Sequence, residues 1–153
     1  MRLPVFKRLG NHQEVDLIPY LTAALQESDD IKIYVGSDSH NNSLTTVYAT
    51  VIVLHYGTSG GHVLYSKEHV DRVRDTWTRL WNEVERSLSV AEYMYENGLP
   101  KADFIDLDLN PDPKYRSNSV LRSAVGYVES LGYVPRIKPY AAAASCCADS
   151  ICH

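Results

Sequence analysis

Cysteine is scarce in this chain. Three occur among 153 residues, two of them adjacent at Cys146 and Cys147 and the third at Cys152. That is a poor disulfide framework and reads as reduced thiols. With His153 they do not make a zinc site, since adjacent helical residues point about 100° apart and no second cysteine pair exists. Long apolar runs are missing too. The longest, Val47 to Leu54, is far short of the ~20 residues that span a bilayer. The basic start, Met1 to Arg8, has no apolar core behind it and so does not read as a secretory signal. A cytoplasmic protein without membrane association is expected. Nor is there an excess of positive charge: 15 basic residues face 19 acidic ones, a net charge of −4. Any nucleic-acid contact must therefore rest on a local site rather than on general phosphate neutralisation.

What is present fits one globular domain. Apolar residues make up 44% and charged residues 22%, and a chain of this length buries roughly two-thirds of its unfolded surface. No repeat, low-complexity tract or linker divides residues 1–153; residues 1–18 read as a short N-terminal extension. Residues 19–28 form a helix opening at Pro19. Ile31 to Val35 is a strand running into the polar Gly36-Ser37-Asp38-Ser39. Thr45 to His55 is a central strand, and His62 to Ser66 returns after a glycine turn. Trp77, Leu80, Trp81, Val84, Leu88 and Ala91 recur at helical spacing, so Val70 to Glu96 is a long helix stopped by Asn97-Gly98. Ala102 to Leu109 is a strand, Ser119 caps a helix ending at Gly132, Tyr133 to Lys138 is a last strand, and Tyr140 to Cys152 a last helix. The first three strands are antiparallel, and those entered through a helix run parallel to a neighbour.

The carboxylates carry the chemistry. Asp38 ends the first strand, Glu83 and Glu85 lie mid-helix among apolar neighbours, Asp106 and Asp108 alternate on one strand face, and Asp149 interrupts an uncharged helix. Taken singly, each has a plain structural reading as a turn, cap or solvated residue. Together, acids in apolar settings cost free energy unless paired or metal-bound, and oxygen ligands select Mg²⁺ or Mn²⁺.

The element order and the carboxylate order resemble the ribonuclease H-like superfamily. More narrowly, Tyr34-Val35-Gly36-Ser37-Asp38-Ser39 and Lys138-Pro139-Tyr140-Ala141 through Ala148-Asp149 resemble the two ends of the YkuK family. Glu83 with Ser87-Leu88 and Asp106-Leu107-Asp108 extend the match over roughly residues 15 to 152. The chain departs from the pattern at Ser37, where threonine is expected, and at His40, where glutamine is. The resemblance implies an α/β fold with a mixed five-stranded sheet and helices on both faces. It also implies two-metal phosphodiester hydrolysis, with nucleic acid as the partner. Asp38 would bridge both ions, Glu83 and Asp108 would hold the ion near the leaving oxygen, and Asp149 the ion that activates water. The choice of Glu83 over Glu85 rests on the resemblance, and Asp106 stands as an outer ligand or a substitute for Asp108. Lys138, just before the final helix, suits a phosphate or the acids as well as it suits a strand-end lysine in water, and His40 could shuttle a proton or ligate a metal, although a turn histidine is the better reading. Asn110 and Ser39 are near enough in sequence to hydrogen-bond the carboxylates or the substrate, although turn roles suit them better.

Two rival readings remain. Phe104-Ile105-Asp106-Leu107-Asp108 mimics the motif of aspartate-nucleophile phosphatases, but it lacks the threonine that normally follows and leaves too little chain for the rest of that fold. The other rival is a catalytically silent module of the same fold that binds nucleic acid or protein, which the acidic balance and eleven tyrosines suit.

Overall fold

The computed structural model describes residues 3–57, 60–115 and 118–137. Seven strands and three helices follow one another as β1 (Phe6–Arg8), β2 (Glu14–Val15), α1 (Leu17–Leu25), β3 (Ile31–Asn41), β4 (Thr45–Tyr56), β5 (Gly61–Asp71), α2 (Thr76–Glu96), β6 (Phe104–Asp106), α3 (Asn118–Ser130) and β7 (Pro135–Arg136). The strands form one mixed sheet in the order β2-β1-β5-β4-β3-β6-β7. The pairs β3/β4 and β4/β5 are antiparallel, whereas β3/β6 and β6/β7, each joined through a helix, are parallel.

The expected five strands are the central and one flanking part of this sheet. Two more come from the N-terminal segment, where β1 pairs with β5 and β2 with β1. These strands are too short to show a period of two in the sequence. Their anchor is Phe6, whose ring is buried in the main core.

All three described helices pack on one sheet face. Leu17 and Leu21 of α1, Val84, Leu88 and Met94 of α2, and Val120 and Val128 of α3 share a core with Ile33, Val35, Ile52, Leu54, Leu64 and Ile105. The period-two alternation of the strands sends the other side chains to the second face, where Ala49, Val51 and Val53 gather with Tyr34, Val63 and Tyr65. The helix expected over Tyr140 to Cys152, with its cysteines, lies outside the described residues. Gly98, at φ +91°, supplies the left-handed turn that ends α2, as its sequence suggests. Helix α1 starts two residues before Pro19 rather than at it. Among the described residues no helix is long and apolar enough to cross a membrane.

Candidate functional site

The polar segment that looked like the end of a strand is in fact its middle. β3 continues through Gly36, Ser37, Asp38 and Ser39 to Asn41, in register with β4 down to Asn41 opposite Thr46. Buried hydroxyl partners make this possible. The Ser37 hydroxyl donates to Thr50 Oγ1 at 3.1 Å and lies 2.9 Å from the Ser87 hydroxyl of α2. Polar side chains thus enter the β3–α2 contact without loss of hydrogen bonds. Asp38 is therefore an interior strand residue, buried, with its carboxylate accepting the Ser39 backbone N–H at 2.8 Å.

Glu83 reaches the same region from α2. That helix opens at Asp75, whose side chain accepts the Thr78 N–H at 2.9 Å, and turns Glu83, Val84, Ser87 and Leu88 inward. Glu83 is only 4% exposed. The Ser39 hydroxyl donates to its Oε2, while Arg79 donates to that hydroxyl at 2.7 Å and to the Ser39 carbonyl at 3.3 Å. Arg79 itself stays 4.0 Å from the Glu83 carboxylate. Burial pushes the Glu83 carboxyl well above the usual range; the charges of Asp38 and Asp108 add to that. The Ser39 hydrogen bond and the more distant Arg79 pull the other way without offsetting it.

Asp108 completes what the described residues bring together. It is half-buried beyond the end of β6 and shares a small crevice with Ser37, Glu83 and Ser87. Alternation in the sequence predicts Asp106 and Asp108 on one strand face, but β6 stops at Asp106. Asp106 is fully buried and held by Arg136, whose Nε and Nη2 donate to its two carboxylate oxygens at 2.9 and 3.0 Å. The guanidinium also lies over the rings of Tyr34 and Phe104, at 4.5 and 4.9 Å from their centroids.

The remaining candidates separate. Glu85 accepts the Trp81 indole N–H at 3.2 Å and acts on the Tyr127 hydroxyl, whose pKa is raised by burial first and by Glu85 next. It belongs to the α2–α3 contact. His40 is half-buried two positions beyond Asp38 on β3, opposite Val47. Asn110 accepts the Asp112 N–H at 2.9 Å, a turn role. Ser39 hydrogen-bonds both Asp38 and Glu83. Lys138 and Asp149 lie outside the described residues. Arg79 was not among the candidates, although its spacing of four residues before Glu83 is the ordinary signal of a helical ion pair.

The donor chemistry fits a hard divalent cation: the three described acids offer only oxygen, and two of them resist ionisation of the third. Among the described residues, however, no group of three His, Cys, Asp or Glu side chains is disposed to hold an ion.

The strand order β5-β4-β3-β6-β7, with α2 crossing behind β3, defines a ribonuclease H-like α/β protein. A family model described as ribonuclease H-like matches residues 17–153, and the chain belongs to that family, the YkuK family indicated by its motifs. No curated protein and no solved structure matched it.

Proposed function

We propose that the protein hydrolyses nucleic-acid phosphodiester bonds with Mg²⁺ or Mn²⁺ held by Asp38, Glu83, Asp108 and Asp149. The observation that carries this reading is geometric: the buried Glu83 of α2 shares a crevice with Asp108 and is joined to Asp38 of β3 through Ser39, which hydrogen-bonds both. Burial first, and then the charges of Asp38 and Asp108, push its carboxyl upward. Asp38 of β3 and Asp108 of the segment after β6 both act on the buried Glu83 of α2, and bound cations relieve such repulsion. Two cations in such a site supply charge stabilisation to the attacking and the departing oxygen.

The chain's own residues supply position and proton control. Ser39 fixes Glu83 through its hydroxyl and Asp38 through its N–H, so one strand residue orients two ligands. Glu83 must lose its proton to bind a cation, so cation uptake strengthens as pH rises. Asp106, neutralised by Arg136, acts as a support for the strand end that precedes Asp108.

A silent binding module of the same fold has one observation in its favour: Arg79 already places a positive charge beside Ser39 and Glu83. Calorimetric titration with Mn²⁺, together with cleavage assays on RNA, DNA, hybrid and junction substrates, separates the two. The hydrolase reading expects metal uptake and metal-dependent cleavage that Asp38→Asn abolishes. Nucleic-acid binding with no cleavage in either metal would overturn it in favour of the module.

A further inference from the structure

Trp77 and Trp81 are the only two tryptophans of the chain. One turn apart on α2, they stack with centroids 5.3 Å apart and planes 12° from parallel. Trp81 stacks in turn on Tyr127 of α3, at 5.3 Å and 24°. The result is a ladder of three rings in which Trp81 and Tyr127 are half-buried and the end ring Trp77 is 41% exposed. Spacing puts Trp77 on the same apolar stripe as Leu80, Val84 and Leu88, yet it stays well exposed while they pack in or against the core. An exposed indole forgoes the burial that usually holds it.

Trp77 also lines a cavity of about 380 Å³ whose other walls include Pro113, Tyr115, Asn118 and Ser119. Tyr115 is itself 47% exposed. We propose that this cavity receives an unpaired base of a single-stranded nucleic acid, stacked on Trp77 and flanked by Tyr115, at a subsite distinct from the carboxylates. The inference rests on the nucleic-acid reading above and narrows it to single strands.

Three observations favour this occupant. The end of a parallel aromatic ladder offers a flat π-face, which any base extends and which needs no sequence-specific contact. A duplex keeps its base faces covered, so only an unpaired base fits. The subsite is also built from the segments that carry two of the acids. Trp77 lies six positions before Glu83 on α2, about 9 Å along the helix axis, and Pro113 and Tyr115 follow Asp108 in the next segment. Exposed Arg74 and Lys114 lie beside these residues in sequence, although Asp112 sits 3.7 Å from Lys114. With so little unopposed positive charge, affinity rests on stacking and depends weakly on salt.

Because both tryptophans are in the ladder, all tryptophan emission reports on it. Native protein in EDTA is titrated with oligo(dT) or oligo(U) of about 12 nucleotides, following fluorescence quenching and the anisotropy of a labelled strand. Quenching is expected, with binding tighter than to the corresponding duplex. Trp77→Ala should weaken binding about 5- to 150-fold, the loss of one base–aromatic stack, while Trp77→Phe recovers part of it. Far-UV circular dichroism checks that the variants fold. Absence of quenching, unchanged affinity in Trp77→Ala, or emission that changes with protein concentration alone, which would assign the cavity to a second copy, overturns the inference. The two readings fail separately. Quenching without metal-dependent cleavage removes the hydrolase and leaves the subsite; cleavage without quenching does the reverse.

Discussion

Asp106 and Glu83 are both buried carboxylates on the segments that flank β3, and their surroundings are opposite. Asp106 meets a guanidinium that matches both of its oxygens and is itself stacked on two rings. Glu83 meets a hydroxyl, a more distant arginine and the charges of two other acids. A carboxylate that is fully paired serves the fold. One held among like charges stores unfavourable free energy that a ligand can release, which is the usual mark of a functional group. On the proposed function, the difference between these two residues is what separates scaffold from site.

The sharpest way to break the comparison is Arg136→Ala. It leaves Asp106 buried and unpaired, and should cost about 3 kcal/mol of stability in urea denaturation. A cost near zero would mean that the bidentate pair is not what keeps Asp106 buried.

Glu83→Gln should have the opposite sign. The folded-state pKa of Glu83 lies above its unfolded value, so the folded protein holds the extra proton between the two. Stability attributable to this group is intact below the ordinary carboxylate range and falls as pH rises through that interval. In EDTA at neutral pH the variant should be more stable than the native protein by on the order of 1 kcal/mol, and the advantage should vanish in acid. Mn²⁺ should reverse the ranking, adding about 2.7 kcal/mol to the native protein at a hundred times its dissociation constant and little to the variant. Thermal unfolding across pH, with and without the metal, checks both signs.

Ser39→Ala sharpens the comparison further. It removes the hydroxyl that donates to Glu83 and steadies its ionised form, costing about 1 kcal/mol. The pH midpoint of Mn²⁺ uptake should move upward, a shift that a purely structural serine would not produce. Smallest is Glu85→Ala, expected within about 0.5 kcal/mol of native stability and with unaltered metal uptake. A loss of uptake there would exchange the roles of the two glutamates.

Much of this architecture was legible. The β-branched run of β4, the period of α2 and the order of elements are strong local signals, and they led to the ribonuclease H-like family. The extent of β3 was not legible, because Gly36-Ser37-Asp38-Ser39 has the composition of a turn. Its ladder with β4, together with the polar partners Thr50, Ser87 and Glu83 brought in from other elements, keeps it a strand. Glu83 and Glu85 looked alike for the same reason. Two positions apart on one helix, they are sorted by packing, one toward β3 and the other toward Trp81 and Tyr127. The Asp106–Arg136 pair joins residues thirty apart in sequence and has no local signature.

The N-terminal ribbon bears on how the molecule avoids its own copies. An outermost strand offers bare backbone donors and acceptors on which another chain can polymerise. β1 shields β5 where that strand is greasy, along Leu64 and Tyr65, and the Leu9 N–H engages Val63 just before them. The stretch left uncovered by β1 carries Lys67, Glu68, His69 and Asp71, whose charges discourage such templating. The opposite margin is β7, two residues long and headed by a proline, which is itself a poor template. Each rim of the sheet is thus blunted by a different device.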